Sequence, residues 1–499
     1  MKLFLTGLLI LAAGYFLYGK IVKKIVSPDD RPTPAVTSFD GVDFMVLPNW
    51  KNMLIQLLNI AGIGPVIGVI GGILFGDIVF IIIPVGCVLM GAVHDFIAGM
   101  MSIRHNGANL TELVRLTTGK HLYRIFSAFL VLALLLVVAV FINIPAKLSA
   151  GLLGGGNTAF FWCISVIFIY YICATMFPVD KIIGKVYPIF GALLLLGTAG
   201  LLVSLMINAI KDPSLLIESE AFKNKMFTAA NHKPILPLLF VTIACGIISG
   251  VHATQAPIVA RTIKNEKEAF GVFFGMMIVE GFIAMVWAAG ALAIYNMHPA
   301  LIGTDPNGVL AKITNTFLKG NFSTVVVLSV IILAITSGDT AMRSLRLSLA
   351  EMFNISQKPI LPRILVILPL IAVTAGLLFW SNKDGGSFQK LWTYFAWSNQ
   401  VIAAFALLAG SIWLFARKKP AFITVMPGMF ITFVVATYIL WISPAHGGPV
   451  GLGLELYDAY MIAAFVAICT FAWAKVRGSE LETTFQSAEN KDLWKKPEK

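Results

Sequence analysis

Apolar runs long enough to cross a bilayer recur along this chain, and two of them are broken in the middle. A span needs about 20 apolar residues. By hydropathy and flanking charge we read about 13 spans, at 3–19, 53–76, 78–103, 123–145, 158–177, 186–210, 235–258, 269–296, 322–342, 363–380, 390–416, 421–442 and 456–475. The second carries Ile60-Ala61-Gly62-Ile63-Gly64-Pro65, and the seventh carries Ser249-Gly250-Val251-His252-Ala253-Thr254-Gln255-Ala256-Pro257. Breaking a helix at membrane depth is costly, because lipid cannot hydrogen-bond the freed backbone; it is tolerated where that backbone faces protein or a wet cavity. Two interrupted spans in corresponding positions of two halves point to a solute-binding site.

Composition agrees with a membrane protein. Of 499 residues, 58% are hydrophobic and 12% charged, against about 25% charged in soluble domains. The formal net charge of +12 does not indicate nucleic acid. Lys and Arg stand at the ends of apolar runs, as cytoplasmic loops require, and form no basic face interleaved with aromatics. Counting these flanks places the N-terminus outside and the C-terminus in the cytoplasm, with 3–19 read as an uncleaved first span. Cys87, Cys163, Cys173, Cys245 and Cys469 lie inside apolar runs without CxxC spacing and read as small buried hydrophobes. No P-loop, Ser/His/Asp or HExxH pattern is present, so neither an ATP-driven pump nor a hydrolase is expected.

The breaks also divide the chain. Each broken span is followed by four more, and the two five-span units start on opposite sides, so they are inverted. The expected fold is all-α and polytopic: a LeuT-like five-plus-five inverted repeat in one transmembrane domain, 1–477. Its parts are an extra helix and an ordered cytoplasmic connection (1–52), repeat one (53–210), repeat two (235–416) and two extra helices (421–477), with a solvated tail at 478–499. The alternative is a bundle whose glycines, Gly68, Gly71 and Gly72 among them, only let helices approach.

Candidate residues follow from placement. Gly62, Gly64 and Pro65 would open backbone at the first break, where a half-helix N-terminus suits a carboxylate. Ser249, Gly250, His252 and Gln255 form the counterpart, and His252 could shuttle a proton. His94 and Asp95 are ionisable groups inside a span, with function, an anchoring pair to Arg104 and the capping of a neighbouring helix all open for Asp95. Ser337, Asp339 and Thr340 offer oxygens to a coupling cation (Na⁺ at Ser337 and Thr340), or Asp339 holds a proton, or it pairs with Arg343 one turn on. Asn399 and Gln400 either line the pathway or tie their helix to a broken span. Glu280 reads as a local pair or interface residue.

Several of these stretches, taken as a set and in order, resemble the carbon starvation protein (CstA) family. They are Pro32-Thr33-Pro34, Asp40-Gly41-Val42-Asp43-Phe44, Ile60 to Pro65, Gly91-Ala92-Val93-His94-Asp95, Cys245-Gly246-Ile247-Ile248-Ser249-Gly250-Val251-His252, Asp339 with Arg343 and Arg346, and Ser398-Asn399-Gln400. The resemblance implies a secondary transporter of the bacterial inner membrane in the amino acid–polyamine–organocation superfamily. It implies a peptide or pyruvate as small-molecule substrate, an H⁺ or Na⁺ coupling ion and no other cofactor, with the bilayer as partner and no nucleic acid. Where the family often carries a His pair before the first break, this chain has Ile55 and Gln56. A membrane nutrient sensor, or an enzyme using His94 and Asp95, are the alternative readings, and the sequence sets no oligomeric state.

Overall fold

The computed structural model describes residues 1–41, 44–176, 183–227, 233–318, 320–353, 355 and 360–490. Val42 and Asp43 of the Asp40–Phe44 stretch, and tail residues 491–499, lie outside them. Among the described residues, 11 helices are long and apolar enough to cross a membrane, and one bent pair adds a twelfth crossing. In chain order these are α1 (Lys2–Val26), the pair α2 (Asn49–Ile60) and α3 (Gly64–Phe75), α4 (Val79–Arg104), α5 (Lys120–Leu152), α6 (Asn157–Met176) and α7 (Gly191–Lys211). The second broken span follows as α8 (Ile235–Thr242), a turn at Ala244–Ile247, and α9 (Gly250–Ala260). None of its pieces is long enough to cross alone. Then come α10 (Glu266–Met297), α11 (Asn321–Met352), α12 (Leu361–Ser381), α13 (Gly386–Ala416), α14 (Phe422–Trp441) and α15 (Leu456–Glu482).

The order is the expected one: a single helix, five crossings opened by a broken one, five more opened likewise, and two at the end. The edges differ. The first helix continues to Val26 because Val22 and Val26 face the bundle while Lys20, Lys23 and Lys24 stay exposed or nearly so. The last helix continues past Gly478 to Asn490, with Lys418 bridged to Glu482 at 2.5 Å.

Burial separates a core from a lipid-facing shell. Helices α4, α5, α10, α11 and α13 are mostly buried, whereas α1, α6 and α15 expose apolar faces such as Leu9, Trp162 and Phe465. In lipid an exposed Leu costs nothing, so helix association rests on close packing and on interhelical hydrogen bonds. The α5–α11 contact is the most extensive, and α9 packs between α4 and α13.

The described parts of the connection, 27–41 and 44–48, form a strap across one face. Thr33 Oγ1 donates to Ile263 O at 2.6 Å, Leu47 N to Thr262 O at 3.0 Å and Met45 N to Arg261 O at 3.2 Å. These bonds fasten the chain before α2 to the chain after α9.

Candidate functional site: two broken helices and a buried acid–histidine cluster

At the first break the helix turns on itself. Ala61 N still reaches Leu57 O, but Gly62 N donates to Ile60 O at 2.7 Å, which leaves Leu58 O without its helical donor. Ser337 of α11 supplies one, its Oγ donating to Leu58 O at 3.1 Å. Pro65 sits in the first turn of α3, where its missing N–H is harmless, and the pair is bent by 53°.

At the second break Ile248 and Ser249 are extended, and α9 begins at Gly250. The exposed backbone is met by α13. Asn399 Oδ1 accepts from Val251 N–H at 2.9 Å, and its Nδ2 donates to Ser249 Oγ at 2.9 Å. Gln400 Nε2 donates to Phe240 O, in α8, at 2.7 Å. Both amides thus tie their helix to the broken span.

The two breaks touch. A Cβ on Gly64 would overlap Cβ and Sγ of Cys245. Gly64→Ala is therefore expected to reduce stability, by about 1–3 kcal/mol for the overpacking. Gly64→Ala with Cys245→Gly should recover most of the loss in a thermal melt, since the nearest remaining atom is then Cys245 Cα at 3.6 Å.

Beside the second break lies a cluster of ionisable groups. His94 Nδ1 is 2.7 Å from Asp95 Oδ1, and His252 Nδ1 is 3.1 Å from Asp95 Oδ2. His252 Nε2 is 3.8 Å from Glu280 Oε2. All four side chains are at most 2% exposed. Asp95 is not paired with Arg104, whose guanidinium instead grips Glu266 through Nε at 2.6 Å and Nη2 at 3.0 Å. Glu280, read from the sequence as a local pair or interface residue, stands beside His252 without a hydrogen bond to either oxygen. Its signal was available, as a lone acid in the apolar run 269–296, and such residues are functional candidates.

The residues Ser337, Asp339 and Thr340 do not converge. Ser337 and Thr340 face α2, with Thr340 Oγ1 at 3.5 Å from Asn59 Oδ1. Asp339 turns to the other side of α11, toward Tyr170 of α6 and Arg343. His252 is occupied by Asp95, whereas Gln255, on the same helix, has no hydrogen-bond partner for either amide atom. The same holds for Gln56 on α2, which packs against α9.

One face of the breaks is open and the other sealed. A cavity of about 550 Å³ descends between α3, α5, α8 and α13 to Ile67, Gly68, Val241 and Thr242, next to both breaks. Two lysines line it: Lys147 Nζ stands 4.1 Å from the centre of the Phe388 ring and Lys233 Nζ 4.0 Å from that of Phe227. Asp305 also lines it and caps the helix Pro306–Phe317. On the opposite face Asn52 and Thr262 bind each other reciprocally, Thr262 Oγ1 to Asn52 Oδ1 at 2.7 Å and Asn52 Nδ2 to Thr262 O at 3.2 Å. That bond joins the ends of α2 and α9. The Arg104–Glu266 pair lies beside it. His105, pushed down to about 4 by burial with Arg417 and Arg104 nearby, is neutral at neutral pH.

Two discontinuous helices in contact, each opening a five-helix inverted unit, define the LeuT fold of secondary transporters. The solved structures agree. The Eremococcus coleocola manganese transporter superposes with a TM-score of 0.56 at 13% identity, covering 89% of this chain and 99% of that one. The transporter MhsT, solved in complex with L-phenylalanine, gives 0.54 at 13% identity, covering 86% and 99%. The sequence profile of carbon starvation protein CstA matches residues 1–167, 154–320 and 307–438. The chain belongs to the CstA family. A membrane protein of Haemophilus influenzae is 40% identical over 58% of this chain and 91% of its own length. The peptide transporter CstA of Bacillus subtilis is 24% identical over 95% of this chain and 96% of its own. The pyruvate/proton symporter BtsT of Escherichia coli is 25% identical over 59% of this chain and 50% of its own.

Proposed function

We propose that this protein is a secondary active transporter that takes up a small carboxylate-bearing metabolite, pyruvate or a short peptide, driven by an H⁺ or Na⁺ gradient. The observation that carries the reading is the cavity, lined by Lys147 and Lys233, that ends at two touching broken helices sealed on their other face. The lysines attract an anion into a partly dehydrated space. Gln56 and Gln255 are buried near the breaks and do not line this cavity; their unpartnered amides would serve a solute carrying carboxylate or peptide groups that reached the breaks. Relatives named for peptide and for pyruvate transport support the substrate class.

In this reading the repeats rock about the breaks to alternate access. The face carrying the strap, Arg104, Arg261 and Arg417 is cytoplasmic by the positive-inside rule, which puts the N-terminus outside, the C-terminus inside and the cavity outward in a bacterial inner membrane. Ser337 and Thr340, with the freed Leu58 carbonyl, are suited to a hard cation such as Na⁺, and the His–carboxylate cluster is suited to H⁺. The test is counterflow by the purified protein in liposomes, with labelled pyruvate and a labelled dipeptide, followed by uptake under an imposed pH or sodium gradient. One of the two solutes is expected to exchange and then to accumulate under one gradient. Absence of exchange for both overturns the proposal.

A further inference from the structure

The cluster beside the second break has a feature that ion pairing alone does not explain. Asp95 has an imidazole nitrogen at each oxygen, 2.7 Å from His94 and 3.1 Å from His252. Glu280, equally buried, has no hydrogen bond to either oxygen. An unpaired carboxylate in an apolar bundle costs several kcal/mol, and a neutral carboxylic acid costs less, because only dipoles and no charge are left without partners. The imidazole of His252 stands between the two acids, with Nδ1 turned to Asp95 and Nε2 to Glu280. The other titratable groups facing Glu280 are Cys87, whose Sγ donates to Met277 O at 3.2 Å, and Cys245 at the second break. The three linked elements are not equivalent. Asp95 lies on α4 and Glu280 on α10, both continuous helices, whereas His252 lies on α9, the detached half of a broken span.

We infer that Glu280 holds the coupling proton of this transporter and exchanges it with Asp95 through His252. The inference rests on the transport reading above and names the ion and its carrier. His252 in its neutral form donates Nδ1–H to Asp95 and offers the Nε2 lone pair to Glu280. The present 3.8 Å separation is about 1 Å beyond hydrogen-bond distance, so a small movement of α9 makes the contact. When it closes, the O–H bond of Glu280 breaks and an N–H bond forms at Nε2. The Nδ1 proton passes to Asp95 Oδ2, and His252 is neutral again. One proton has moved from Glu280 to Asp95, with no net change in the cluster's charge. Because the bridging ring rides on the segment that must shift for access to alternate, proton position and helix position are linked. The four groups do not form a metal centre: among the described residues no set of three His, Cys, Asp or Glu side chains is placed to hold an ion.

Glu280→Gln, nearly isosteric, tests this in two ways. In detergent, the full-length protein at neutral pH is expected to show an infrared carboxylic-acid C=O band that Glu280→Gln removes. Absence of that band from the wild type, or its persistence in the variant, overturns the inference whether or not transport has been reconstituted. In liposomes under a one-unit inward pH gradient, one coupled proton supports about a tenfold accumulation ratio. Glu280→Gln is expected to bring that ratio to about one while labelled pyruvate or dipeptide still exchanges in counterflow. Wild-type accumulation by the variant overturns the inference. Failure of the wild type to exchange either solute refutes the transport reading instead, and the infrared result then stands by itself.

Discussion

Arg104→Leu is expected to lower the stability of the protein by about 3–5 kcal/mol, the usual loss when one partner of a buried ion pair is removed. The Arg104 and Glu266 side chains are 3% and 0% exposed. The guanidinium makes two bonds to the carboxylate and a third, at 2.8 Å, to Ser27 O, while Asp29 N–H donates to Glu266 Oε2 at 2.7 Å. Removing Arg104 leaves Glu266 as a buried anion held by one backbone amide and releases the strap from α4. The double variant Arg104→Leu with Glu266→Leu should recover a large part of the loss, because no charge is then stranded. Thermal melts of the detergent-purified protein, followed by size-exclusion chromatography, read both effects. A single variant as stable as the wild type would mean that the strap face is hydrated and that the pair does not seal it.

The second large effect is expected at Gly250. A Cβ there would overlap the Asn399 carbonyl oxygen and stand 2.6 Å from Ala403 N. Both are backbone atoms of α13 and cannot turn aside as a side chain would. Gly250→Ala must push α9 away from α13, which also pulls Val251 N–H off Asn399 Oδ1. Overpacking costs about 1–3 kcal/mol, and the stranded N–H and amide add about another 1–3 kcal/mol. Transport should fall to background. Gly271→Ala is the control: open space surrounds that position, so its melt and uptake should match the wild type. Equal behaviour of the two variants would show that α9 is not held against α13 as described.

Much of this could be read beforehand, for local reasons. A Gly-x-Gly-Pro sequence inside an apolar run disrupts the helix, so the bend at Gly62–Pro65 and the count of four spans after each broken one followed from sequence. The adjacent amides Asn399 and Gln400 showed that partners were needed, and the structure shows those partners to be Val251, Ser249 and Phe240. The face of Asp339 was also legible: it is two residues from Ser337, about 200° around a helix, so the two cannot serve one ion from α11. Glu280 was visible as an intramembrane acid but not as a neighbour of His252. Lys147 and Lys233 carried no local signal, because they meet across one cavity from a helix end and a distant loop.

From its sequence alone this chain was determined to be a polytopic helical membrane protein with two inverted halves, each opened by a broken span. Run length against bilayer thickness, and glycine and proline against helix continuity, are properties of consecutive residues. Only the tertiary structure decided that Gly64 meets Cys245, that Asp95 takes two histidines and leaves Arg104 to Glu266, and that one face of the breaks is sealed. In lipid nearly every face of a span is apolar, so the pattern along a helix does not say which neighbour it will meet. That choice falls to close packing and to a few buried polar groups far apart in the chain, and it is fixed only when the helices are assembled.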